Sequence, residues 1–148
     1  MIAVRVEKGR WTDMGSPQYD YESDLLYVEI QELDLSPFGL NIDSLVIVDL
    51  DDHQRLMGVE FLVPRRLWKR RQLSAVEEVA GEWVASFPVA SRNTEYDLPV
   101  EFYRDRTKRL LRVTFGGEAP GAKLYPVAPK VGLLMADGSL AGIDVIVP

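Results

Sequence analysis

Apolar and polar residues alternate along most of this chain. Ile2, Val4 and Val6 fall on one face of an extended segment. Leu25–Ile30, Leu45–Leu50 and Leu56–Val63 are further short apolar runs, and the last two are separated by the polar stretch Asp51–Arg55. Val100–Tyr103, Leu110–Phe115, Val131–Met135 and Leu140–Val147 repeat the theme in the second half. Runs of this length, rich in Val, Ile, Leu and Tyr and bounded by turn formers, predict strands. Gly9–Gln18, Glu32–Asn41 and Gly116–Pro129 collect Gly, Pro, Ser and Asp, and they read as connections, the middle one as a long loop or a single helical turn.

Between the two halves the period changes. Ser74 followed by Glu77 makes a capping box, and Leu73, Val76, Val79, Ala80, Trp83, Val84 and Phe87 recur at near-helical spacing. This predicts one short amphipathic helix within about 74–87, with Trp83 and Phe87 as its anchors in the core. Gly81 weakens it by about 1 kcal/mol relative to alanine.

The strands echo one another. Val46–Pro64 and Lys130–Pro148 align so that Leu56, Gly58, Val59, Glu60 and Pro64 meet Leu140, Gly142, Ile143, Asp144 and Pro148. An offset one residue longer sets Leu25–Ile30 on Leu110–Phe115. The expected fold is therefore mainly β, of the α+β kind: two repeated antiparallel β-meander units packed together, with one short connecting helix. The whole chain, 1–148, reads as a single compact domain, with copy one over about 1–64 and copy two over about 98–148. Asp137-Gly138 suits a tight primed turn, in which both central residues take positive φ. Gln54 stands where that glycine would be, so the first hairpin is expected to turn differently and more loosely.

With 148 residues, 47% of them hydrophobic, the chain can bury a core without cross-links. It has no cysteine, which excludes disulfides and thiolate chemistry. No stretch is apolar enough to span a bilayer, and the N-terminus lacks the apolar run of a signal peptide, so a cytoplasmic location is the default expectation. The net charge of −6 divides unevenly: residues 1–60 hold 13 acidic and 4 basic side chains, and residues 61–148 hold 10 acidic and 13 basic. Opposite halves of this kind can attract each other or a second copy.

The run Tyr19-Asp-Tyr-Glu-Ser-Asp-Leu-Leu-Tyr-Val28, followed by Val48-Asp-Leu-Asp-Asp52 and Leu56-Met-Gly-Val-Glu-Phe-Leu62, resembles a family of small bacterial and archaeal proteins called domain of unknown function 2283. The likeness covers residues 19–64. Over 104–148 it is much weaker, because Tyr19, Glu22 and Asp24 give way to Arg104, Thr107 and Arg109, although Asp105 matches Asp20. The resemblance implies a compact β meander, often followed by a helix, and no established activity.

Candidate chemistry is sparse. Asp20 and Asp24 bracket a bend, where carboxylates accept hydrogen bonds from backbone N–H groups that a turn leaves unpaired. Asp49, Asp51 and Asp52 crowd three carboxylates into four positions, and with Asp20 or Glu22 they could supply oxygen ligands to a cation. A solvated turn flank explains them better, since the second copy puts Leu133 and Met135 at the places of Asp49 and Asp51. His53, the sole histidine, falls at a hairpin tip, where an exposed surface imidazole is expected rather than the buried base that would activate a serine or threonine. Glu60 and Asp144 could in principle work as acid and base, but their equivalence under the repeat has an architectural origin. No residue is assigned a catalytic, cofactor-binding or metal-binding role, and no cofactor is expected.

Two basic segments remain. Arg65, Arg66, Lys69, Arg70 and Arg71 surround Leu67 and Trp68, and Arg104, Arg106, Lys108, Arg109 and Arg112 flank a hairpin. Together they could contact phosphates and stack on a base, although the pI near 4.8 opposes nonspecific attraction to a polyanion. The sequence reads first as a non-enzymatic protein-interaction or accessory module that binds a protein partner or itself. A nucleic-acid-binding protein using 65–71 and 104–112 is the alternative, and a small enzyme or cation site at the carboxylates of 20–24 and 49–52 comes after it.

Overall fold

The computed structural model describes residues 2–12, 16–31, 38–62, 64–88, 96, 98–117 and 119–147. Strands dominate, as the alternation predicts. β1 (Arg5–Lys8) is followed by β2 (Gln18–Asp20), β3 (Leu25–Glu29), β4 (Phe38–Asp43), β5 (Val46–Leu50) and β6 (Leu56–Leu62). A one-turn helix, α1 (Pro64–Leu67), leads to β7 (Lys69–Arg70), β8 (Glu77–Glu78) and β9 (Trp83–Ser86). The second half contains β10 (Val100–Asp105), β11 (Leu110–Phe115), β12 (Lys123–Ala128), β13 (Val131–Ala136) and β14 (Ser139–Ile146). Among the described residues, no helix is long and apolar enough to cross a membrane.

Two sheets with antiparallel cores form the body, and neither is the simple meander expected, because β3 pairs with β6 rather than β4 and β11 with β14 rather than β12. The first sheet runs β2-β3-β6-β5-β4, and the second runs β7-β10-β11-β14-β13-β12-β8. The five central strands of the second sheet follow the order of the first when β2–β6 are laid on β10–β14. The registers match as well: Leu25 faces Leu62 as Leu110 faces Ile146, and Asn41 and Asp43 straddle a shift as Pro126 and Ala128 do. Val28, Val48, Val59 and Phe61 of one sheet and Leu111, Val113, Leu133 and Ile143 of the other point inward to a single core. β1 and β9 pair beside this body. Bridges from Ala3 to Ser139 and from Arg55 to Ser86 fasten the β1–β9 ribbon to one hairpin of each sheet.

The structure corrects the expected connecting helix at 74–87. That stretch is extended: it leaves β7, crosses the open face of the second sheet, forms β8 on the far edge and ends in β9. Gly81 has φ +125, which no α-helix accommodates. Val76, Val79 and Val84 are β-branched and favour extended backbone. The aromatic anchoring survives without the helix: Phe87 is fully buried, and Trp83 packs edge-on against Tyr125. The helix that does form is Pro64–Leu67, with proline in its first turn, where its missing N–H is no loss.

Two further expectations change. The connections at 32–41 and 116–129 contain β4 and β12, although residues 32–37, like Pro148, lie outside the described residues. The first hairpin turn is indeed different from the second. Gln54 donates its N–H to the Asp51 carbonyl at 3.0 Å and takes φ 65 itself, whereas Asp137 and Gly138 form the tight turn with φ 52 and 76.

Candidate functional site

Asp20, Asp24 and Asp51 each have a structural partner, whereas Glu22 and Asp52 are exposed. Asp20 accepts the N–H groups of Glu22 and Ser23 in the β2–β3 turn; a hydrogen bond with the Ser23 side chain first, and then these N–H groups, hold its carboxyl below the usual range. Asp24 is buried and reaches across the chain to cap α1, accepting the N–H groups of Arg65 and Arg66 at 3.1 Å. It also accepts the Tyr19 hydroxyl; burial first, then this carboxylate, pushes the Tyr19 phenol up to about 12. Asp51 closes the β5–β6 turn. Burial opposes its ionisation, but the N–H groups of Arg55 and His53 and the Arg55 guanidinium at 2.8 Å outweigh it, so its pKa is lowered. Asp52 and His53 are exposed at that turn.

Asp49 stands apart from this pattern. It faces away from the core on β5, opposite Gly58 and diagonal to Glu60. Burial, the Glu60 charge and a hydrogen bond with Glu60 raise its pKa to about 7. In the second sheet Leu134 stands where Asp49 does, opposite Gly142, and the counterpart of Glu60, Asp144, is neutralised instead. There Arg112 faces Asp144 across β11 and β14 and donates to both carboxylate oxygens, at 2.8 and 2.9 Å. Tyr27 occupies the position of Arg112 in the first sheet and faces Glu60. Among the described residues, no group of three or more His, Cys, Asp or Glu is placed to hold a metal ion.

The extended segment over the second sheet is pinned from below. Asp105 accepts the Leu73 N–H at 2.9 Å, Lys108 donates to the Leu73 carbonyl, and Arg112 donates to the Ser74 carbonyl at 3.2 Å. The Leu73 N–H is the main reason the Asp105 carboxyl lies below its usual range. A cavity of about 440 Å³ opens on one side of this segment, and the buried Thr114 hydroxyl that lines it has no hydrogen-bond partner.

The sequence-predicted basic segments meet. β7 pairs in parallel with β10, Lys69 beside Tyr103 and Arg70 beside Arg104, and the Arg71 N–H bonds to the Arg104 carbonyl at 3.0 Å. Here the two sheets also come together around a cleft of about 210 Å³. Tyr19 and Tyr21 from the first sheet line it with Trp68 and Arg104, Arg65 and Arg106 standing at its sides. Arginines lie over the rings: Arg65 over Tyr21 at 5.5 Å, and Arg104 over Trp68 at 5.7 Å. Outside the cleft Arg71 covers Tyr103 at 5.1 Å. Such pairs hold long basic side chains over apolar surface without discharging them. Tyr21 is 71% exposed, and Arg65, Arg66, Arg106 and Arg109 all face solvent.

Arg112, grouped with the basic set in the sequence, does not join this surface. It is largely buried in its pair with Asp144. Sequence reasoning missed Tyr21 and Tyr103 as ring partners of the arginines. The signal available was an aromatic in each hairpin next to a basic run. It also overlooked the pairing of Asp49 with Glu60, which follows once Val46, Val48 and Leu50 are turned inward and their neighbours outward.

The chain matches no protein-family model and no curated protein.

Proposed function

We propose that this protein is a non-enzymatic binding module that takes single-stranded nucleic acid along the seam between its two sheets, with a base in the cleft and phosphates against the arginines. The observation that carries this reading is the parallel pairing of β7 with β10, which merges the 65–71 and 104–109 segments into one surface around Tyr21 and Trp68. Stacking platforms flanked by cations suit single strands because every base has a π-face and every linkage a charge. The overall charge of −6 opposes this approach at long range. Attraction must consequently be local, and it must fall steeply with salt.

Fluorescence polarisation of labelled oligothymidylate and oligouridylate between about 50 and about 200 mM salt tests the reading. Binding at low salt is expected. Trp68→Ala should weaken it by about tenfold or more, the effect of losing one stacking platform. Neutralising Arg65 and Arg106 together should reduce the salt slope by about 1.4. Absence of binding at the lowest salt, in protein whose circular dichroism is native, would refute the proposal. Equal binding of polyglutamate, insensitive to Trp68→Ala, would transfer the surface to an acidic protein partner.

A further inference from the structure

The second sheet ends on two strands of opposite charge. β7, Lys69–Arg70, forms one edge, and β8, Glu77–Glu78, forms the other; all four residues are exposed. Among the described residues, no strand pairs with the outer side of either. Edges of this kind are normally guarded, and two residues bearing like charges guard well against a copy of the same edge. They do not guard against each other.

Their direction matters as much as their charge. β10, β11, β14, β13 and β12 alternate strictly, so β10 and β12 point the same way. β7 is parallel to β10 and β8 is parallel to β12, so the two edges also share one direction. A two-fold contact would lay β7 on β7 or β8 on β8, cation on cation or acid on acid. A head-to-tail contact lays β8 of one molecule on β7 of the next in the parallel sense already used at both edges, with Glu77 and Glu78 against Lys69 and Arg70. An internal ion pair at the acidic edge, Lys123 to Glu77 at 3.9 Å, is solvent-exposed and reaches inward to β12, so it does not occupy the outer side.

We infer that this protein associates with copies of itself head-to-tail, the basic edge of one second sheet meeting the acidic edge of the next. The contact is heterologous and does not close on two copies. It is small and charge-driven, hence weak, and it is lost as salt screens exposed pairs beyond about 10 Å at 0.1 M. It goes beyond the nucleic-acid reading: the two share the β7 edge, but association needs Glu77 and Glu78 and not Trp68, so Trp68→Ala and Glu77→Lys with Glu78→Lys tell their failures apart.

The test is a charge exchange read by static light scattering at low salt over a concentration series. The native chain should grow in mean mass past that of a dimer and return to monomer at high salt. Lys69→Glu with Arg70→Glu gives a molecule with two acidic edges, and Glu77→Lys with Glu78→Lys gives one with two basic edges. Each variant alone should stay monomeric, and an equimolar mixture should regain the association of the native chain. Because the chain has no cysteine, Arg70→Cys with Glu78→Cys offers a second readout: oxidation should give a ladder of linked copies. A native chain that stays monomeric at low salt overturns the inference, as does mass that saturates at two copies, or a mixture of variants that remains monomeric.

Discussion

Replacing Asp49 by asparagine removes a titrating group whose energetics the structure sets out. In the folded chain burial and the neighbouring Glu60 raise the Asp49 pKa from 3.8 to about 7. Between those values the native state holds a proton that the unfolded state has released. Stability therefore falls as pH rises through that window, and the loss is complete above about pH 7. Three pH units at 1.36 kcal/mol each set a ceiling of about 4 kcal/mol. Asp49 is only partly buried, and solvent screening reduces the expected effect to about 2 kcal/mol. Asparagine keeps the shape and a hydrogen-bonding oxygen but cannot ionise. Asp49→Asn should accordingly nearly match the native chain at about pH 4, close to the unfolded pKa, and exceed it by about 2 kcal/mol at pH 8. Urea titrations at the two pH values resolve this, since a slope of about 2 kcal/mol/M converts the difference into a midpoint shift of about 1 M. Other carboxylates also titrate, so the informative quantity is the difference between variant and native chain. If the two curves run parallel from about pH 4 to pH 8, the Asp49–Glu60 pair does not share a proton and the argument fails.

The Arg112–Asp144 pair of the second sheet should behave in the opposite sense. Arg112→Ala leaves Asp144 buried without its partner and should cost about 3 kcal/mol, while Arg112→Met with Asp144→Leu should cost less than that single change, a comparison that a double-mutant cycle measures. A Cβ at Gly142 would stand 2.6 Å from the Val113 carbonyl oxygen, a backbone atom that cannot step aside. Gly142→Ala should lower stability by about 1–3 kcal/mol in the same urea assay, and an unchanged midpoint would show that β11 and β14 are further apart than described here.

How much of this was legible in the sequence varied with the range of the interactions. β3, β5, β6, β11, β13 and β14 announce themselves, because each is an apolar run beside a turn it pairs across. The Asp137-Gly138 turn is equally local. β4 and β12 were hidden by their own composition. Gly39 and Pro126 read as loop formers, yet β4 carries a register shift between Asn41 and Asp43, and Pro126 stands beside the corresponding shift in β12. Proline is tolerated at such irregularities. The segment 74–87 misled for another reason: apolar residues at helical spacing can also serve a chain that crosses one sheet and enters a ribbon. What decides between them is a set of distant partners, Asp105, Arg112 and Leu124, that no local window contains. The basic surface was half legible. Both segments stood out by charge, but their contact depends on a parallel pairing of only two residues.

The segment from Arg70 to Glu77 has a geometric consequence for the sheet beneath it. It joins the two edges of seven strands, which at a spacing of about 4.8 Å lie roughly 29 Å apart along the sheet. Seven residue steps, fully extended, reach at most about 25 Å. A chord shorter than its arc fits only a bowed surface. The second sheet must therefore curl toward the chain that spans it, like a bow held by its string, and its curvature is set by the length of a peptide that belongs to it only at the two tips. Adding a residue after Ser74 would slacken the string and let the sheet relax without altering any of its five central strands.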